Sequence, residues 1–194
     1  MLTAVLFTQN EIQAQKSFLM KNDLKVGYGT ITFPEMASSF MILFVGMWDV
    51  IAKDSVKEMN TSFYGNINIA YERRLKQWIS IGAVGTFNPV FANIETKAGL
   101  SLSYNFYIVS LMPQVNFYYM RKDMVSLYSG LAVGGSLLIE EDRNVNTTNT
   151  YETDLVFAYQ ANFFGFRIGK EIAGYAEFGM GFKGIINIGI SGRF

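Results

Sequence analysis

Residues 63–72 read Phe63-Tyr64-Gly65-Asn66-Ile67-Asn68-Ile69-Ala70-Tyr71-Glu72. Phe63, Ile67, Ile69 and Tyr71 share one parity, and Tyr64, Asn66, Asn68 and Glu72 share the other. Successive side chains of a strand point to opposite faces, so the segment is a strand with one apolar and one polar side. Arg73-Arg74-Leu75-Lys76 makes a short charged turn. The pattern then resumes, with Ile79, Ile81, Ala83 and Phe87 set against Ser80, Gly82 and Thr86.

The same device runs to the end of the chain. Tyr107, Val109, Leu111, Val115, Phe117 and Tyr119 alternate with Ser110, Met112, Gln114, Asn116 and Tyr118. Leu131, Val133 and Leu137 oppose Gly130, Ala132, Gly134 and Ser136, and the last strand sets Ile186, Ile188 and Ile190 against Asn187, Gly189 and Ser191. Near residues 163–165 the parity slips, which predicts a β-bulge turning Phe166 outward and Arg167 inward. The expectation is eight strands at 23–33, 61–73, 77–89, 104–120, 124–139, 153–167, 172–183 and 184–194. Long connections at 34–60, 90–103 and 140–152 alternate with short ones at 74–76, 121–123 and 168–171. Within 34–60, the apolar run Phe40–Trp48 is too short to span a bilayer as a helix. Pro34 and Glu35 ahead of it suit a helix start, which predicts a helix-like apolar segment over 35–53.

Alternation alone does not tell inside from outside. A soluble carrier buries its apolar face, whereas a membrane barrel turns it outward and keeps a polar lumen. Here the apolar faces are uniformly large aliphatics and aromatics, and the opposite faces are Gly, Ala, Ser, Asn and Gln, small enough for the narrow interior of eight strands. Charges sit mainly in turns, and aromatics such as Tyr71, Trp78 and Phe117 gather at strand ends, as at a membrane interface. The fold expected is all-β, a membrane-spanning antiparallel up-and-down barrel of eight strands. Closure is required, because hydrocarbon offers no partner to an open strand edge.

The closing segment Phe178-Gly-Met-Gly-Phe-Lys-Gly-Ile-Ile-Asn-Ile-Gly-Ile-Ser-Gly-Arg-Phe194 and the hairpin Phe163-Phe-Gly-Phe-Arg-Ile-Gly-Lys170 resemble the small eight-stranded outer-membrane β-barrels of Gram-negative bacteria, a porin-like group. The resemblance covers residues 23–194. It implies export, periplasmic chaperoning, and outer-membrane insertion by machinery that reads a terminal aromatic residue, the place Phe194 holds. It further implies short turns inside, long loops outside, and contact with outer-membrane lipids and lipopolysaccharide as a monomer. At the N-terminus, the apolar run Met1–Phe7 and the small residue Ala14 suit an export signal over residues 1–15, with the barrel occupying 16–194. No Lys or Arg precedes that run, so a truncated signal is expected.

Composition narrows the chemistry. The 194 residues carry 16 basic and 16 acidic side chains, without the basic excess of a nucleic-acid binder. There is no Cys and no His, so neither a thiolate metal site nor a His-based acid–base or nucleophilic mechanism is available. The expectation is a non-enzymatic protein with no cofactor and no metal. The carboxylates of loop 140–152 do not follow calcium-loop spacing and read as a solvated acidic loop. Four charged residues, Glu72, Arg167, Glu177 and Arg193, fall on the small-residue faces. Glu177 shares neighbouring strands with both arginines, so an internal ion-pair network of balanced sign is expected to plug the lumen, with a selective pore as the alternative.

Overall fold

In the computed structural model, residues 21–37, 39–40, 56–96, 101–142 and 150–194 are described. Nine strands are present: β1 (Asn22–Thr30), β2 (Val56–Phe63), β3 (Asn66–Lys76), β4 (Ile79–Thr96), β5 (Ser101–Arg121), β6 (Val125–Asp142), β7 (Thr150–Gly169), β8 (Ile172–Gly181) and β9 (Ile186–Arg193). All pairings are antiparallel, and the order β4-β3-β1-β9-β8-β7-β6-β5 returns to β4. This is a closed eight-stranded up-and-down barrel, and closure leaves its staves without a free edge. The ninth strand comes from a break. β2 and β3 both pair with β4, Phe63 opposite Val90 and Ile67 opposite Phe87, so they are two halves of one stave. The break falls at Tyr64-Gly65, where Gly65 takes a φ of 71°, a conformation that glycine adopts without the Cβ clash other residues meet.

The slip expected near residue 163 is a bulge. The β7–β8 register shifts between Asn162 and Phe164, leaving Phe163 and Phe164 both on the outside and Arg167 inside. The terminal strands close the last seam, with Asn22 and Phe194 exchanging backbone hydrogen bonds of 3.0 Å each way. Turns at 77–78, 122–124 and 170–171 join the staves at the end where both described termini lie. The other end carries the longer connections and the tight 182–185 turn.

Which face is inside is decided by the side chains. Ile67, Leu111, Val133 and Ile188 are 56, 65, 55 and 56% exposed, while Asn68, Gln114, Ser136 and Asn187 are buried. A water-soluble barrel does the reverse, so the wall is apolar outward and polar inward. Aromatic pairs mark two levels on that wall. Near the short turns the ring of Trp78 stacks on Phe117 at 6.4 Å; toward the loops Phe87 stacks on Tyr107 at 6.3 Å. Tyr107 and Phe117 are ten residues apart on β5, about 33 Å along a strand. A tilt near 40° reduces that to about 25 Å of height, the thickness of the apolar band of outer-membrane barrels.

The staves are unequal. β8 ends where Gly181 faces Gln160, but β7 continues to Thr150 beside β6. β2, β4, β5, β6 and β7 therefore run on past the barrel as a sheet, and Thr153–Phe157 are exposed in both parities there. The strands are longer than the sequence pattern implied, and over 153–157 β7 has no buried face to impose a strict alternation.

Candidate functional site

The barrel interior is the candidate site. Inward residues of every stave meet there, and an eight-stranded interior leaves just enough width for side chains to fill it. At its centre, Lys25 of β1 lies between two carboxylates, 2.5 Å from Glu72 Oε1 and 3.5 Å from Glu177 Oε1. Lys25 Nζ also donates to Tyr128 Oη at 3.0 Å and sits 4.2 Å from the centre of that ring. Glu72 Oε2 accepts from Ser80 Oγ at 2.8 Å and from Tyr118 Oη at 2.9 Å. Glu177 Oε1 accepts from Tyr128 Oη at 2.7 Å, and its Oε2 accepts from Asn187 Nδ2 at 3.1 Å and from Lys183 Nζ. Toward the short turns, Asp23 Oδ2 is shared by Arg193 Nε at 3.2 Å and Arg167 Nε at 3.5 Å. Arg167 is further held by Ser191 Oγ at 2.7 Å and by the carbonyls of Gly169, Lys170 and Glu171, so its guanidinium closes the β7–β8 turn from within.

All four charged residues read from the sequence are therefore buried in the lumen, but their partners differ from the expected ones. Glu177 pairs with Lys25 and Lys183, not with Arg167 or Arg193, which share Asp23. Asp23, Lys25 and Lys183 escaped the sequence reading for separate reasons. Asp23, Lys25 and Gly27 alternate with Leu24, Val26 and Tyr28 in β1, where two charges on one short face look like an exposed side until the barrel closes around them. Lys183 sits in a turn, and only the folded chain shows that its side chain runs back down the barrel to Glu177. The buried charges are equal in number, Lys25, Arg167, Lys183 and Arg193 against Asp23, Glu72, Glu177 and, at the loop end, Glu35.

Between them the two clusters draw a contributor from each of the eight staves: Lys25 (β1), Glu72 (β3), Ser80 (β4), Tyr118 (β5), Tyr128 (β6), Glu177 (β8) and Asn187 (β9) in the central one, and Arg167 (β7) in the one around Asp23. Buried charge is tolerable when paired and hydrogen-bonded, and here each ion finds partners from other staves. Closer to the loops the interior turns apolar, where Ala70, Val84, Val90, Ile108, Met112, Ala132, Ala158 and Phe182 form one cluster. One close approach ties this end together: a Cβ at Gly29 would fall 1.7 Å from the carbonyl oxygen of Lys183, so the 182–185 turn lies directly on β1.

A short helical cap is fastened at the loop end. The expected helix-like segment 35–53 is described only at its start, as helix over 33–37 and 39–40; residues 38 and 41–53 lie outside the described residues. The start is a capping box. Thr32 N donates to Glu35 Oε2 at 2.8 Å, and Glu35 N donates to Thr32 Oγ1 at 3.4 Å. The same two residues fasten the cap to the barrel, because Glu35 Oε1 accepts from Gly65 N at 3.0 Å and Asn88 Nδ2 donates to Thr32 Oγ1 at 2.5 Å. Phe33 lies against Tyr159 and Phe182 with ring centroids 5.6 and 5.9 Å away. Sequence reading found the helix start but not that Glu35 would also cap the broken stave at Gly65. Glu35→Ala leaves the buried amides of Thr32 and Gly65 without acceptors and is expected to cost about 1–3 kcal/mol. Denaturant unfolding of the refolded barrel measures it, and a change below about 0.5 kcal/mol would show that the cap is not fastened this way.

Phe194 follows β9 directly, with its backbone paired to Asn22 and its ring exposed on the outer wall. Residues 1–15, where an export signal is expected, lie outside the described residues, as does most of the acidic segment 140–152.

Fold and interior together define a class: a closed, eight-stranded antiparallel barrel with an apolar outer wall and a charged interior. No protein-family model matches the chain, and no curated protein matches it. Among solved structures, it is similar to two crystal structures of Ail, the attachment invasion locus protein of Yersinia pestis, one of them in complex with the heparin analogue sucrose octasulfate. Each likeness is at 14% identity and a TM-score of 0.42, over 90% of this chain and 99% or 97% of the Ail chains.

Proposed function

We propose that the protein is a non-enzymatic outer-membrane barrel whose interior is plugged and whose work is to hold a surface sheet and loops at the cell envelope. The observation that carries this reading is the filled lumen inside an apolar wall. The described cavity at the short-turn mouth, bordered by Asp23, Glu72, Arg74 and Arg193, has a volume of about 10 Å³. That is room for about one water molecule, whereas a pore needs a continuous column of them. The apolar wall, about 25 Å between its aromatic levels, suits lipid on every side. The sheet that outruns the barrel supplies the displayed element. Its exposed Leu155, Val156 and Phe157 form a surface that the barrel itself does not use.

In this reading the chain is exported, chaperoned across the periplasm and inserted by machinery that reads Phe194, and it then sits as a monomer among outer-membrane lipids and lipopolysaccharide. The absence of His and Cys from the whole sequence removes the usual groups for acid–base and thiol chemistry. Planar-bilayer recording of the refolded chain tests the plug against a small solute channel. The expected record is a quiet baseline at salt concentrations where open porins give steady steps. Reproducible single-channel steps of one size would replace the plug with a pore.

A further inference from the structure

Cationic groups gather at one place in the interior, the short-turn mouth. Buried cations and anions are equal in number, Lys25, Arg167, Lys183 and Arg193 against Asp23, Glu35, Glu72 and Glu177, but Glu35 lies at the opposite end, bonded to Gly65. At the short-turn mouth Arg74 and Arg121 are half-buried beside Arg193. Glu177 is occupied deep in the barrel by Lys183 and Lys25, and Glu72 by Lys25, so neither is free to neutralise the mouth. Asp23 is the carboxylate left there, and Arg167 and Arg193 share one of its oxygens. Its other oxygen, Oδ1, is buried without a hydrogen-bond partner beside the water-sized cavity.

Arg121 carries the second, independent sign. Its guanidinium lies over the Tyr118 ring, 3.5 Å from the ring centre, with Nε and Nη1 buried and without an acceptor. A buried donor left unmade costs free energy, and a charged one costs more. The cavity beside it is bordered by Lys21, Arg74, Arg121 and Arg193 together with Asn22, Asp23 and Glu72, four cations to two carboxylates. Its level on the barrel is that of Trp78 and Phe117, where rings of this kind meet lipid headgroups. Guanidinium forks match the oxygens of phosphate in geometry as well as charge.

We propose that this short-turn mouth is an oxyanion seat, in which Arg121, with Arg74, Arg193 and Lys21 around it, receives a phosphate group at the rim. Two sources share that chemistry: free phosphate, and the phosphate of an anionic lipid headgroup reaching over the rim. The free-phosphate case is independent of membrane insertion, and the lipid case rests on the membrane reading above.

The test uses the full chain refolded in zwitterionic micelles, with the arginine Nε–H resonances followed by NMR. Inorganic phosphate is titrated against chloride at matched ionic strength, and in a second arm phosphatidylglycerol is titrated against phosphatidylcholine in nanodiscs. Saturable movement of the Arg121 resonance with phosphate assigns the free anion. Movement with phosphatidylglycerol alone assigns the headgroup. R121Q is expected to weaken binding by about tenfold or more, the loss of a charged hydrogen bond. R121K keeps the charge but not the fork, so it should fall between R121Q and the parent; it serves if R121Q does not refold. R73Q, on the outer face, should leave the phosphate titration unchanged. Arg121 resonances that respond to neither phosphate nor phosphatidylglycerol beyond the chloride and phosphatidylcholine controls would overturn the seat.

Discussion

Glu177→Ala is expected to destabilise the folded barrel by about 3–5 kcal/mol, the cost typical of breaking a buried ion pair by removing one partner. The size follows from what the carboxylate holds. It accepts from Tyr128, Asn187 and Lys183 and lies 3.5 Å from Lys25, linking β1, β6, β8, β9 and the 182–185 turn through one side chain. Lys25 keeps Glu72 when Glu177 is lost, but the ion pair of Lys183 is with Glu177. The variant thus leaves a buried ammonium uncompensated, and that desolvation sets the magnitude more than the lost attraction does.

A paired change separates the two contributions. Lys183→Met removes the stranded charge at similar volume, so the double variant should be less destabilised than the sum of the singles, with a coupling of about 1–3 kcal/mol. Equilibrium unfolding in urea, followed by Trp78 fluorescence, gives all four corners of the cycle. Additive singles would mean that Glu177 and Lys183 do not rely on each other, and the central network would then be a spacer rather than a brace. Replacing the carboxylate by Gln instead of Ala should recover part of the loss, because the amide oxygen still accepts from Tyr128.

The barrel was legible because β-structure writes itself into sequence with a period of two, and a wall that is large outside and small inside doubles that signal. The faces of Ile67, Leu111, Val133 and Ile188, and even the bulge at Phe163, could be read from parity alone. Strand ends could not. β4 to β7 continue beyond the end of β8, residues 153–157 are exposed in both parities so that nothing enforces alternation there, and hydrogen bonding to neighbours rather than residue pattern sets the strand lengths.

The site was legible by residue but not by partner. A charge on a small-residue face had to be internal, which placed Glu72, Arg167, Glu177 and Arg193. Which charge meets which depends on stagger between staves. On β8 and β9, Glu177 lies opposite Asn187 and six residues along the strand from Arg193, about 20 Å away in the extended chain. Neighbouring strands were therefore not neighbouring charges. Lys183 needed the turn geometry, and Glu35 needed the break at Gly65, which no local pattern announces.

Leu111→Arg is expected to cost about 2–4 kcal/mol when the barrel is folded in lipid, because the residue sits midway between the two aromatic levels on the outer wall. Tyr107 lies four residues to one side and Phe117 six to the other, so the guanidinium would stand near the centre of the apolar band, too deep to snorkel freely to either interface. Leu155→Arg is the comparison that gives the number meaning. Leu155 is also outward and exposed, but it lies five residues beyond Gln160, where β8 has ended and the sheet has left the barrel. Its cost should be about 0–1 kcal/mol, as for positions near or beyond the interface. Refolding into vesicles, read as the shift between folded and heat-unfolded migration on gels across a urea series, measures both variants in one experiment. A barrel that stands in water has no depth, so the two arginines would then cost the same small amount. A difference of 2 kcal/mol or so between them requires hydrocarbon around Leu111 and none around Leu155, which would fix the membrane band to the wall between Trp78 and Tyr107 and leave the sheet beyond it free to meet a partner.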